Sequence, residues 1–253
     1  MGKGIKDSTI LDSERSVISE TRLMFFEGIK AGIPIAIGYI PIAITFGLLA
    51  KSTGIPNSTA AMMSFWVYAG ASQFVAVNLL ALNATYWEIV LTTFIINFRH
   101  FLMSASLSRR IEQPTSKKWM ALISFGITDE TFTVASTRNE QRLSPVFVLG
   151  LNLVAFGAWN AGTWAGVFLG TGLPESIQTS MGIALYAMFI GLLIPSLKKS
   201  RPLFIVSMFA VVINSILYWV PLFSSFSMGW RVITATVLAS AAGAVFFLKE
   251  GEA

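Results

Sequence analysis

The sequence predicts an all-α polytopic membrane protein, and three observations carry that expectation. The chain is poor in charge, its apolar residues fall in runs of membrane-spanning length, and its basic residues cluster in the short gaps between those runs. Charged residues make up 12% and hydrophobic residues 54% of the 253 positions, with a mean hydropathy of +0.68. An ordinary soluble domain carries about 25% charged residues. A chain this far below that value cannot coat a globular surface with polar groups, so its outside faces a lipid bilayer. The unit of organisation is then the span of roughly 20 apolar residues. The 20 Phe, 7 Trp and 5 Tyr suit lipid-facing walls and interfacial belts.

Composition also removes several functions. There are no cysteines, which excludes disulfides, thiolate metal sites and cysteine nucleophiles. With His100 as the single histidine, a His-rich metal site is not expected, nor is any cofactor. The net charge of +5 could suggest nucleic acid, but the basic residues sit between apolar runs, as the positive-inside rule requires. No nucleic-acid partner is expected. An intramembrane enzyme would need a metal-ligand set or a nucleophile with its base, and neither is present, so the chain reads as no enzyme.

Residues 1–24 are polar and of mixed sign, without the apolar core and cleavage site of a signal peptide, and read as a cytoplasmic arm. Eight apolar segments follow, at about 25–50, 57–82, 87–107, 119–137, 145–170, 178–197, 203–222 and 229–248. No gap between them is long enough for a soluble domain, so 25–248 reads as one membrane transport domain with a short tail at 249–253.

Segments one and five are expected to be broken. Segment one holds Gly28, Gly32, Pro34, Gly38, Pro41 and Gly47, and segment five holds Gly150, Gly157, Gly162, Gly166 and Gly170. Paired interrupted segments in corresponding positions of two halves point to a transporter's binding site. A short recurrence supports a duplication with half-repeats at about 25–137 and 145–248. Thr53-Gly54-Ile55-Pro56-Asn57-Ser58 returns as Thr171-Gly172-Leu173-Pro174-Glu175-Ser176, and Tyr68-Ala69 as Tyr186-Ala187.

Charge tests the topology. Arg109, Arg110, Lys117 and Lys118 follow segment three, and Lys198, Lys199 and Arg201 follow segment six. Both clusters should be cytoplasmic, yet three segments separate them. Two topologies stay open: eight plain crossings with an imperfect charge bias, or six crossings with segments one and five broken or re-entrant. In the second, segment one enters from the cytoplasm and segment five from outside, which makes the halves an inverted repeat.

The residues in these places also carry a family resemblance. Gly28-Ile29-Lys30-Ala31-Gly32-Ile33-Pro34, then Gly38 and Pro41, then Ala69-Gly70-Ala71-Ser72-Gln73-Phe74, resembles the AzlC family. Asn97-Phe98-Arg99-His100 with Leu102-Met103, and Thr128-Asp129-Glu130, add to it. The resemblance is strongest over the first half of the membrane region. It implies the large subunit of a branched-chain amino acid exporter in the bacterial cytoplasmic membrane, working with a small AzlD-type membrane subunit. Substrates implied are leucine, isoleucine, valine and methionine, with protons as the coupling ion.

A branched-chain amino acid is a zwitterion with an aliphatic side chain. Its site needs an anion hole, a cation acceptor and an apolar pocket. The opened backbone expected around Gly32, Pro34, Gly38, Tyr39 and Pro41 would supply amide N–H groups and carbonyls, with the bland alternative a kinked packing helix. Ser72 and Gln73, after the small residues Gly70 and Ala71, read equally as substrate contacts or as interhelical hydrogen bonds. Asn97 and Arg99 complete the candidate substrate-binding set. An arginine at membrane depth costs about 2.5 to 3.5 kcal/mol on insertion scales and marks a partner or a pathway, unless it snorkels to the interface. His100, Asp129 and Glu130 are the candidate proton-coupling residues. Adjacent carboxylates in a low dielectric cannot both stay charged cheaply, so one is expected to hold a proton, and an ion pair of Asp129 with Arg99 is the competing role. Ser124, Thr128 and Thr131 form a polar stripe beside them. Trp159, Asn160 and Asn214 are weaker second-half candidates, and the ridges Gly162/Gly166/Gly170 and Ala235/Ala239/Gly243 read as close-packing seams. The alternative function is a channel-like or passive permease for another small solute.

Overall fold

The computed structural model describes residues 3–169 and 200–247, with positions 174, 176, 190, 193, 194, 197 and 198 between them. Segment six and the tail at 249–253 lie outside the described residues apart from those single positions, as do Gly170, most of the recurrence at 171–176 and Tyr186-Ala187. Among the described residues the elements are helical, and five helices are long and apolar enough to cross a membrane. The chain divides into two compact units, Met1–Ala43 with Arg99–Thr163, and Ile44–Phe98 with Trp164–Ala253.

The expected breaks in segments one and five are not present. Helix α1 (Lys3–Ser52) runs uninterrupted through Pro34 and Pro41, and the helix over segment five, Pro145–Leu169, is likewise continuous. Several of the glycines, Gly28, Gly32, Gly150, Gly162 and Gly166 among them, serve contact instead. In the first unit a Cβ on Gly28 would lie 2.1 Å from the Phe147 carbonyl oxygen, and one on Gly150 would lie 2.4 Å from that of Phe25. These positions let two helix backbones touch, the small-residue packing used inside membranes. The prolines are tolerated because a membrane helix can surrender single bonds when its surroundings compensate.

The same contacts give a direction. Gly28 meets Phe147 and Leu151, Gly32 meets Leu151 and Val154, and Gly162 meets Ile40 and Ala43. Numbers rise together on both helices, so they run parallel. Segments one and five therefore enter from the same side, which corrects the inverted relation expected of that pair.

The interruptions lie in segments two and four instead. Segment four folds as α5 (Lys117–Phe125), a turn at 126–128, and α6 (Asp129–Ser136). Ser116 caps α5 by accepting the Trp119 N–H. At about 1.5 Å per residue neither helix can cross a bilayer. Both ends of the segment meet: Leu143 N–H donates to Arg110 O at 2.7 Å, and Glu112 N–H donates to Leu143 O at 3.0 Å. Segment four therefore enters and returns. The Arg110 guanidinium fixes the return by donating to the carbonyls of Ala135 and Ser136, which α6 leaves open at its C-terminal end, and to those of Arg138 and Glu140 just beyond it. Arg138 reaches Glu27 and Glu140 and lies over the Phe147 ring, tying the same end to its neighbours.

In the second unit, segment two begins with α2 (Asn57–Met62) and a π-helical turn, Met63–Val67. Tyr68 then takes a left-handed conformation at φ 45°, and α3 (Gly70–Ala81) follows. A non-glycine residue there costs about 1 to 3 kcal/mol and persists only where its surroundings hold it. Gln73 Nε2 donating to Ser64 Oγ at 3.0 Å spans the break. Helix α4 (Tyr86–Ser108) comes next in the chain, and α7 denotes Pro145–Leu169. The unit closes with an antiparallel hairpin of α8 (Arg201–Trp219) and α9 (Met228–Phe247), joined through a turn at Pro221–Phe223. Ala235 and Ala239 are buried there, and Gly243 meets Val206, so that small-residue ridge does serve close packing.

Candidate functional site

The turn at 126–128 gathers charged and polar side chains inside the first unit. Its shape is local in origin. Ile123 and Ser124 carbonyls accept the N–H groups of Gly126 and Ile127, which ends α5. Thr128 then starts α6 with a reciprocal cap: its Oγ1 accepts the Thr131 N–H at 3.3 Å, and Thr131 Oγ1 accepts the Thr128 N–H at 2.8 Å. Gly126 is required because a Cβ there would lie 2.6 Å from Asn152 on α7. Asn152 uses that space to donate from Nδ2 to Ile123 O at 2.9 Å, while its buried Oδ1 has no partner.

Asp129 and Glu130 occupy the first turn of α6, where the open N–H groups and helix dipole favour negative charge. Arg99, from the second half of α4, pairs with Asp129 at 2.7 Å; both side chains are about one third exposed, and Arg99 Nε is buried without a partner. Glu130 is held differently. The Tyr39 hydroxyl of α1 contacts Glu130 Oε2 and lies 2.7 Å from Thr128 Oγ1. A carboxylate only accepts, so Tyr39 gives its proton to Glu130 and takes one from Thr128. Trp159 of α7, 3% exposed, stacks edge-on against Tyr39 with ring centres 5.4 Å apart and holds the phenol in place. Two carboxylates and one guanidinium meet here, and among the described residues Glu130 has no cationic partner within ion-pair distance. Such a cluster favours a cation, whether a proton or an ammonium group.

The structure brings together Tyr39, Arg99, Asp129 and Glu130 from the expected set. His100 follows Arg99 on α4 and is half-buried. Gly32 lies in the seam between α1 and α7, and Pro34, Gly38 and Pro41 are exposed along α1. Ser72, Gln73 and Asn97 belong to the second unit. There Ser72 Oγ donates to Ala69 O at 2.9 Å, so Ser72 and Gln73 both stabilise the interruption of segment two. Asn152 was not anticipated. Its signal is a single amide among Leu151, Leu153 and Val154, a polar group that an apolar segment keeps only when it has a task.

A family model described as AzlC protein matches residues 34–173. The inner membrane protein YgaZ of Escherichia coli is 37% identical over 185 residues, covering 71% of this chain and 76% of that one. An uncharacterized membrane protein of Archaeoglobus fulgidus is 32% identical over 179 residues, 69% of this chain and 77% of its own length. The branched-chain amino acid transport protein AzlC of Bacillus subtilis is 28% identical over 171 residues, 67% of this chain and 66% of that protein. No solved structure matches.

Proposed function

This chain belongs to the AzlC family, and from that premise we propose that it exports leucine, isoleucine, valine and methionine by proton-coupled alternating access. It is a multi-pass protein of the bacterial inner membrane. Its proposed partner is a small AzlD-type membrane subunit. The observation that carries the reading is the re-entrant segment four, which sets an arginine, two carboxylates and a tyrosine at one break in the helix.

The chemistry follows from the charge count. Asp129 is neutralised by Arg99, whereas Glu130 is held by the Tyr39 hydroxyl. Glu130 can take either a proton or the ammonium group of a substrate, and not both. Competition of that kind couples the two in opposite directions: a proton arriving from outside displaces the amino acid, and release of the proton inside restores the carboxylate for the next one. Arg99, with its spare buried Nε–H, is the group for the substrate carboxylate. Tyr39 and Thr128 relay the proton change by turning their hydroxyls, and Asn152 Oδ1 offers a further acceptor for the ammonium.

The test is efflux from cells loaded with a leucine-containing dipeptide and expressing the chain with its small partner. Faster leucine export that is abolished by Asp129→Asn and by Glu130→Gln supports the carrier and its site. Export that persists in both variants moves the proton site elsewhere. Export insensitive to dissipation of the proton gradient selects the passive permease, and no export with the partner present overturns the substrate.

A further inference from the structure

The second unit carries an arginine that the transport reading does not use. Arg231 stands one turn into α9, and its guanidinium lies over the Tyr218 ring of α8, 4.9 Å from the ring centre. Among the described residues no carboxylate lies within ion-pair distance of it, and its Nε is buried without a hydrogen-bond partner. A cation in a membrane-spanning helix is costly and marks a partner or a pathway. A buried donor left open calls for an acceptor.

Two helices fix the depth of Arg231 in the bilayer. Helix α8 starts at Arg201 beside Lys198 and Lys199, and α4 ends at Ser108 before Arg109 and Arg110, so the charge rule sets both basic ends in the cytoplasm. The end of α8 and the start of α4 then lie at the outer face. Glu88, in the first turn of α4, accepts the Gly229 N–H at 3.0 Å and the Ser227 hydroxyl. Those bonds hold the start of α9 at the same level and already occupy the donors of that helix end. Five aromatic side chains are exposed at this level: Tyr86 and Trp87 on α4, Tyr218 and Trp219 on α8, and Trp230 on α9. Such a belt marks the depth of lipid headgroups. Nearer the bilayer centre α8 exposes Val212 and Ile216, and α9 exposes Val237 and Leu238.

We propose that Arg231 and the aromatic side chains at its level bind a phospholipid of the outer leaflet, with the guanidinium taking the phosphate. The occupant follows from charge and depth. A guanidinium stacked on a ring still offers its N–H edge, a fork that matches two phosphate oxygens. The ligand must be anionic, must stand at headgroup level, and must continue as a hydrocarbon along the apolar surfaces of α8 and α9. A phospholipid meets all three conditions, and free phosphate meets only the first. The site shares no residue with Arg99, Asp129 and Glu130, so the export reading and this one can fail separately.

Fluorescence quenching on the full chain tests the site, with a fluorophore on Ser225→Cys in the outer connection. The probe is phosphatidylglycerol with a nitroxide at the top of one acyl chain, titrated into detergent micelles. Diacylglycerol with the same nitroxide is the phosphate-free control. Phosphatidylglycerol should quench at a concentration at least tenfold below that needed for diacylglycerol, and excess inorganic phosphate should not displace it. Arg231→Gln should raise the phosphatidylglycerol concentration about ten- to a hundredfold, the worth of hydrogen bonds to a charged group, and leave diacylglycerol unchanged. Arg231→Lys, which keeps the charge without the fork, should fall between. Equal quenching by the two lipids, or an unmoved titration in Arg231→Gln, overturns the proposal. Should Arg231→Gln fail to fold, Tyr218→Leu decides: losing the ring should weaken binding about threefold or more, and an unchanged titration overturns the site. Quenching that vanishes when the small membrane subunit is co-purified would assign Arg231 to a protein contact and overturn the lipid.

Discussion

Tyr39 shows how much one hydroxyl can organise. Its ring is fixed by Trp159, and its oxygen stands between Thr128 and Glu130 at the start of α6. Tyr39→Phe keeps the ring and deletes the bridge. We predict retained folding, a stability loss of about 1 to 3 kcal/mol from the polar groups left unpaired, and leucine efflux reduced by about tenfold. Thermal melts beside efflux assays separate the two effects. A variant with full efflux would remove Tyr39 from the proton path. At this scale the sequence was informative wherever a charge stood in an apolar run, which is why Arg99, Asp129 and Glu130 were legible. Asn152 was not, because its importance depends on Gly126, in the turn between α5 and α6, yielding the space it fills.

Among the elements, α1 and α7 correct a natural inference from glycine and proline. A helix with many such residues can be broken, or it can be smooth on one side so that a neighbour's backbone fits. Gly28 and Gly38 separate these cases. A Cβ on Gly28 collides with the Phe147 carbonyl, whereas one on Gly38 meets nothing within 4 Å. Gly28→Ala should therefore cost about 1 to 3 kcal/mol as an overpacked contact, and Gly38→Ala should stabilise by about 0.5 to 1 kcal/mol as a helical glycine replaced. Melting of the purified variants checks both signs, and equal effects would mean the helices do not touch at Gly28.

The end of the α5–α6 element has a pH signature of its own. The hydrogen bond from Arg138 pushes the exposed Glu140 carboxyl down to about 2 from its ordinary 4.5. A depressed carboxylate contributes stability above its unfolded value and loses it as the pH falls through the folded one. The stability difference between the wild type and Glu140→Gln should thus be constant at neutral pH, shrink below about 4.5 and vanish near 2. A difference that survives at lower pH would mean the pair contributes without charge.

For the whole molecule, the re-entry of segment four removes the conflict between the two basic clusters. It leaves α1, α4 and α7 with the α8–α9 hairpin as crossing helices among the described residues. The chain contains no cysteine, so single introduced cysteines report side without background. Gln113→Cys and Asn139→Cys, at the two ends of segment four, should both label from the cytoplasm. Asn83→Cys and Ser225→Cys should label only from outside. Labelling of Gln113→Cys and Asn139→Cys from opposite sides would overturn the re-entry.

Composition and hydropathy determined by themselves that this chain is helical, spans a membrane many times and carries costly charges at Arg99, Asp129 and Glu130, because the lipid environment penalises every alternative wherever the chain goes. They left two topologies open, eight plain crossings or six with segments that turn back, since the positive-inside rule acts on the loops alone. Which segment turns back was decided only by the tertiary structure. Glycine and proline lower the local cost of both a break and a close approach, and the choice depends on what the other helices present. For α1 the partner is the backbone of α7, which rewards an unbroken helix. For segment four the partners are Arg110, Asn152 and Tyr39, which satisfy the polar groups that a break exposes.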